Sequence, residues 1–181
     1  VDAYLGSSSG PGGTECPYDT VQGGIDAAVV AGLTRVIVRG GFYEEEVVLD
    51  SGIELIGELR WGFWPAFIVN PGSSIYLVEG ANSAALKNFV VYEGMIHLDG
   101  INDMTIQENI VYNHFNIYLP DLMFENGASN HIIQNNIFYK HHFGGMAAAY
   151  PQYVIYLGQN SDENQFINNT IHSRDYYGIG I

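Results

Sequence analysis

An apolar–x–apolar triplet keeps returning along this chain, and that recurrence limits the possible folds more than any other feature. It reads IEL at Ile53, IYL at Ile75, IHL at Ile96, IYL at Ile117, IYL at Ile155 and IGI at Ile179, with separations of 22, 21, 21, 38 and 24 residues. Self-similarity at a nearly fixed period marks a solenoid, in which each repeat is one supersecondary unit and a continuous core forms only by stacking.

A second motif falls between the triplets: LKNFVVY from Leu86, IQENIVY from Ile106, IQNNIFY from Ile133 and INNTIHS from Ile167. Each coil therefore holds at least two short strands. Side chains alternate faces along a strand, so Ile96 and Leu98 point one way and His97 the other. Stacked coils would place Ile75, Ile96, Ile117 and Ile155 one above the next, about 4.8 Å apart. Asn109, Asn136 and Asn169 stand where the chain must bend sharply, and Asn tolerates such backbone angles. Lys87, Gln107, Gln134 and Asn168 read as an outward, solvated column. This is a parallel β-helix pattern. The leucine spacing and recurrent helix of leucine-rich repeats are missing.

One stretch looks helical, PYDTVQGGIDAAVVAGLTRVIV, and it predicts a helix over 19–32. Asp19 or Thr20 can cap it, Gln22 sits three residues after Asp19, and Gly32 can end it. Val21, Ile25, Ala28 and Val29 share a face. Such a helix would cover the first coil, since solenoid ends need caps.

The segments YDTVQGGIDAAVVAG, VIVRGGFYEEEVVL and SGIELIGE resemble the opening of right-handed parallel β-helix proteins of the pectin-lyase-like superfamily, which includes pectinesterases and uronate epimerases. The resemblance spans roughly residues 4 to 60 by motif and the remainder by repeat pattern. It implies an all-β, single-stranded, right-handed parallel β-helix with an N-terminal capping α-helix. Residues 1–18 would then be a loop, 19–32 the cap and 33–181 the coils, forming one domain whose winding continues past Ile181. The open last coil would meet another chain or a following domain. The pectinesterase pattern of two Asp and an Arg on successive strands is not evident downstream.

Charge narrows the partners. Twenty acidic and six basic residues give a net charge of -14. Nucleic acid needs clustered Lys and Arg, so it is excluded as a partner. No apolar run approaches membrane-spanning length, so no membrane insertion is expected. A polyuronate would meet a polyanion here, whereas a neutral glycan fits the charge better. A single Cys16 cannot form an internal disulfide.

Three groups of residues could carry chemistry. The first is the outward column between the triplet anchors, with Tyr76, His97, Tyr118 and Tyr156, flanked by Glu54 and Gly180. It is either a sugar platform or a ladder that stiffens the sheet. The second is a long third coil, which gains about five residues in PDLMFENGASN and about ten in YKHHFGGMAAAYPQY. It carries Lys140, His141, His142, Tyr150 and Tyr153. A lyase or epimerase needs a base beside a uronate carboxyl, and Lys140, His141 and His142 are of the right types. Otherwise the insertion simply covers one side of the coils. The third group is Glu79, Asp99 and Asp121, which come after the triplets and would suit Ca²⁺ or glycoside hydrolysis if they converge. Otherwise they are solvated turn residues. Adjacent histidines rarely share one ion, and neither His114 nor His131 completes a zinc spacing.

The sequence thus supports two functional expectations. One is an extracellular, cell-surface β-helix that binds or processes a polysaccharide, either lyase- or epimerase-like or a glycoside hydrolase, with Ca²⁺ as the only cofactor suggested. The other is a non-catalytic structural or adhesive module of a larger surface or fibre protein.

Overall fold

A computed structural model describes residues 1–7, 12–13, 15–58, 65–69, 81–113, 120–140, 153–174 and 177–180, and the backbone of 74–77. Among these residues are eighteen short strands and one helix. All strand pairing is parallel, in three six-stranded sheets. The chain visits the sheets in strict rotation. Arg35–Val38, Gly41–Tyr43 and Val47–Val48 lay down the first rung of each. Gln165–Ile167, Thr170–Ser173 and Tyr177–Gly180 lay down the last. Each round thus carries three strands, one more than the minimum that the sequence repeats require. This order is compatible with a solenoid.

Alternation explains the core. In the first sheet Val36, Leu55, Leu86, Ile106, Ile133 and Phe166 are successive register partners. In the second, Tyr43, Ile68, Val91, Val111, Phe138 and Ile171 succeed one another. Most of these side chains are fully buried and belong to one contiguous cluster. Such columns stack because no single round can bury its own apolar face.

In the third sheet the aligned residues are Val47, Ile75, Ile96, Leu122, Ile155 and Ile179. The stacking expected of Ile117 is therefore corrected, because Leu122 occupies that rung. Both Ile117-Tyr118-Leu119 and Leu122-Met123-Phe124 have the required alternation. The turn after each triplet distinguishes them. Asp99-Gly100-Ile101 leads from Ile96–Leu98 into the next first-sheet strand, and Glu125-Asn126-Gly127-Ala128 does the same after Leu122–Phe124. Gly100 and Gly127 both take the left-handed conformation there (φ 64° and 83°), which costs glycine little. The extra length of this coil thus falls in the connection before the strand, residues 114–121, rather than in the strand and turn from Leu122 onward. Ile53-Glu54-Leu55 also moves, to the first sheet, where Glu54 aligns with Arg35 and Ala85.

The corner between the first and second sheets carries an internal seam. Asn88, Glu108, Asn135 and Asn168 adopt positive φ of 62°, 58°, 56° and 51°. The residue after each turns inward. In the last three coils that residue is Asn109, Asn136 or Asn169. Asn109 Oδ1 accepts from the Phe89 amide at 3.0 Å, and Asn136 Oδ1 accepts from the Asn109 amide at 2.9 Å. Asn169 Oδ1 accepts from the Asn136 amide at 2.9 Å. Their Nδ2 groups donate to the carbonyls of Leu86, Ile106 and Ile133 in turn. The seam thus supplies the bonds that a bent, buried backbone would otherwise lack.

The helix runs over Val21–Val30, two residues shorter at each end than the sequence suggests, with Thr20 as N-cap. Thr20 Oγ1 accepts from the Gly23 amide, while Glu45 accepts from the Val21 and Gln22 amides at 2.7 and 2.9 Å. Glu45 therefore does more than fill an exposed acidic turn: its charge sits where the helix dipole favours an anion. Gln22 does not close a capping box. Its Oε1 accepts from the Val48 amide at 2.8 Å and ties the helix to the third sheet. At the far end Gly32 (φ 65°) bonds back to Val29 O and Leu33 to Ala28 O, a Schellman closure. Val21, Gly24, Ile25 and Ala28 face the core, while Val29 is exposed.

Candidate functional site

Among the described residues, His97, Asp99 and Tyr156 of the expected site lie on the outer face of the third sheet, while Lys140 and Asp121 are buried at the corner between the second and third sheets. On the third sheet the outward column is Val48, Tyr76, His97, Met123, Tyr156 and Gly180. The column position expected of Tyr118 is therefore filled by Met123. Tyr118 itself lies outside the described residues, as do Glu79, His114, His141, His142, Tyr150 and the side chain of Tyr76.

His97 Nε2 lies 2.9 Å from Glu125 Oε2 on the neighbouring strand. Asp99, expected near Asp121, is instead aligned with Glu125, and its carboxylate accepts from Asn126 Nδ2. The Tyr153 ring is 6.0 Å from Tyr156 and 5.8 Å from Tyr177, with the latter pair tilted by 42°. Tyr177 is 65% exposed. A Cβ at Gly180 would collide with the Tyr153 ring. The apparent break in the column is thus the place where Tyr153 lies across it.

A second aromatic column went unread in the sequence. Tyr92, Tyr112, Tyr139 and His172 stack on the second sheet at centroid distances of 5.4, 5.0 and 4.6 Å, with planes within 10°. Its signal was present as the last residue of LKNFVVY, IQENIVY and IQNNIFY. Within the column the rings cover one another's faces, which leaves less ring surface for a ligand. Burial, and then the neighbouring phenols, raise the Tyr112 pKa. This column is a stiffening ladder rather than a platform.

Beneath it, at the corner towards the third sheet, lies a buried polar group. Lys140, expected as a base facing substrate, points inward and is 1% exposed. Asp121, expected on an outer calcium site, is 0% exposed and lies 3.5 Å from Lys140 Nζ through Oδ1. Glu93 and Asn113 are buried beside them in the sequence of rungs. Burial pushes the Asp121 carboxyl up to about 7 and lowers the Lys140 ammonium. Each charge partly offsets the other's shift. Among the described residues no group of three or more His, Cys, Asp or Glu is placed to hold a metal ion.

His131 is also internal. Its Nδ1 accepts from the Met104 amide at 3.1 Å, and its ring packs 5.6 Å from Phe124. Burial lowers its pKa to about 4, so it stays neutral at ordinary pH. Glu54, expected to flank the sugar-facing column, is held by Lys87 at 2.6 Å and Arg35 at 2.8 Å, which lower its pKa. A cleft of 570 Å³ lies between the helix and the first sheet, with Arg35, Arg39 and Glu58 in its lining. Arg39 is already bonded to Asp2 at 3.0 Å. Among the described residues no helix is long and apolar enough to cross a membrane. No family model, curated protein or solved structure matches the chain.

Proposed function

We propose that the chain winds as a single right-handed parallel β-helix of pectin-lyase-like type, and that its third-sheet face binds an extended neutral glycan outside the cell. The sheet order supports the winding. The carrying observation for binding is the Tyr153, Tyr156 and Tyr177 group. Its rings are spread at 5.8 to 6.0 Å, and Tyr177 is largely open. Unlike the self-covered second-sheet stack, this group leaves ring surface for the apolar face of a sugar. The His97–Glu125 pair on the same face offers directional hydrogen bonds to hydroxyls. The net charge of -14 favours an uncharged ligand over a polyuronate. Lys140 faces the interior, so binding is preferred to proton abstraction.

Titration calorimetry against neutral and uronate polysaccharides tests this reading. The neutral class should bind, and Tyr177→Ala should weaken it by about tenfold, the worth of one aromatic contact. A second assay tracks the ultraviolet absorbance of unsaturated uronates with Ca²⁺ present, where no turnover is expected. The stacked tyrosines and the asparagine seam favour a second reading, a rigid structural or adhesive module. If no polysaccharide binds, that reading replaces the first.

A further inference from the structure

The coil interior is lined by Leu, Ile, Val and Phe, and one corner departs from that rule. Glu93, Asn113 and Lys140 each come directly after a tyrosine of the second-sheet stack and are buried; strand alternation turns Asn113 and Lys140 inward, while Glu93 follows the end of its strand at a φ of 58°. Asn113 and Lys140 are register partners. Asp121 enters from the third sheet, its backbone fixed by bonds to Val154 O (2.8 Å) and from the Ile96 amide (3.0 Å). Lys140 Nζ and Asp121 Oδ1 stand 3.5 Å apart, and among the described residues neither carboxyl oxygen of Asp121 takes part in a hydrogen bond.

A buried ion pair persists when its geometry is tight and its remaining lone pairs are bonded. Here the Nζ–Oδ1 distance is a long 3.5 Å, and among the described residues the Asp121 oxygens lack the hydrogen bonds that would hold the charge. In a dry site the two groups are more stable after one proton passes from nitrogen to oxygen. The result is a neutral amine facing a carboxylic acid. Burial shifts both pKa values in the direction that favours this form.

We propose that Lys140 and Asp121 become joined by an intramolecular isopeptide bond after folding, with Glu93 as the proton shuttle. Lys140 Nζ forms a bond to Asp121 Cγ, and one Cγ–O bond breaks. The departing hydroxyl takes one proton from Nζ and leaves as water. Glu93 carries that proton and returns to its starting state. Nothing is oxidised or reduced, and no co-reactant is needed. Fixed proximity replaces a bimolecular encounter, worth an effective concentration of about 10⁵ M or more. The bond would link the segment leading into the third-sheet strand Leu122–Glu125 to the second-sheet strand Ile137–Lys140 of the next coil. It is independent of any glycan.

Intact-mass measurement of the folded wild-type chain tests the proposal directly. The mass should be about 18 Da below that of the sequence, one water lost. Cleavage after glutamate should then release residues 109–125 covalently joined to 126–163. Lys140→Arg should restore the full mass and two separate peptides. Freshly made Glu93→Gln should show bonded and unbonded forms, with the bonded fraction rising over hours. A wild-type chain of full sequence mass with separable peptides overturns the proposal. So does a loss of about 18 Da confined to one peptide, which marks a succinimide. A linked pair about 17 Da light would instead identify an asparagine as the acyl donor and reject Asp121.

Discussion

Replacing Asn136 with alanine is the most direct test of what holds the coils in register. Asn136 Oδ1 accepts from both Asn109 N and Asn109 Nδ2, at 2.9 and 3.1 Å. Its Nδ2 donates to Ile106 O and to Asn169 Oδ1, at 2.9 and 3.1 Å. Alanine removes all four bonds and leaves the Asn109 amide buried without its acceptor. An orphaned buried donor costs about 1–3 kcal/mol, and each lost bond with a satisfied alternative about 0.5–1 kcal/mol. The sum is about 2.5–6 kcal/mol, which lowers Tm by roughly 10 °C for a chain of this size. Urea unfolding should show the loss as a lower midpoint at constant slope. Gln134→Ala is the control: its amide bonds Gln107 Oε1 at 3.0 Å on the outer surface, and the cost should stay below about 1 kcal/mol. Equal costs at the two positions would refute the claim that the inward seam, rather than strand pairing alone, fixes the corner.

Single contacts lead to three other expected outcomes. His131 has its pKa lowered to about 4 by burial, against an unfolded value of about 6.5, so between these values the unfolded chain binds more protons. Stability should be full above pH 6.5 and fall by up to about 3 kcal/mol as pH drops towards 4. The difference between wild type and His131→Asn isolates this slope from that of the carboxylates, and identical pH profiles would reject it. Gly180→Ala forces the Tyr153 ring to move and should cost about 1–3 kcal/mol; the penalty should vanish in a Tyr153→Ala background. Glu45→Ala removes the acceptor of two helix amides and should destabilise by about 1–2 kcal/mol, read as a lower Tm.

Much of the parallel strand order was legible because alternation and sharp bends leave local marks. Asn109, Asn136 and Asn169 marked the corner, but the left-handed backbone falls on the residue before each, Glu108, Asn135 and Asn168; the helix carried its own stop at Gly32. The register of the long coil was not legible from the triplet, since two adjacent triplets satisfy the same alternation and the glycine turn after the second decides between them. The site residues divide between two columns and a buried corner, and of these the triplet marks only the third-sheet column. Parity along Ile137-Phe138-Tyr139-Lys140 already puts Phe138 and Lys140 on one side, so the buried lysine could have been read from its neighbours. The placing of Asp121 opposite it depends on the corrected register, and no local pattern contains that information.

The corners differ in how much change they admit. Between the first and second sheets, a single left-handed residue leads into each inward seam position, Phe89, Asn109, Asn136 and Asn169. Between the second and third sheets the connection ranges from residues 93–94 to residues 141–152. In its last four coils the first edge therefore works as a fixed spine, although residues 58–65 connect the earlier strands Glu54–Gly57 and Ala66–Val69 there, while the other edge is a margin that takes connections of unequal length. New recognition loops, natural or grafted, belong on that margin, and a library built there could vary length freely while the asparagine spine stays untouched.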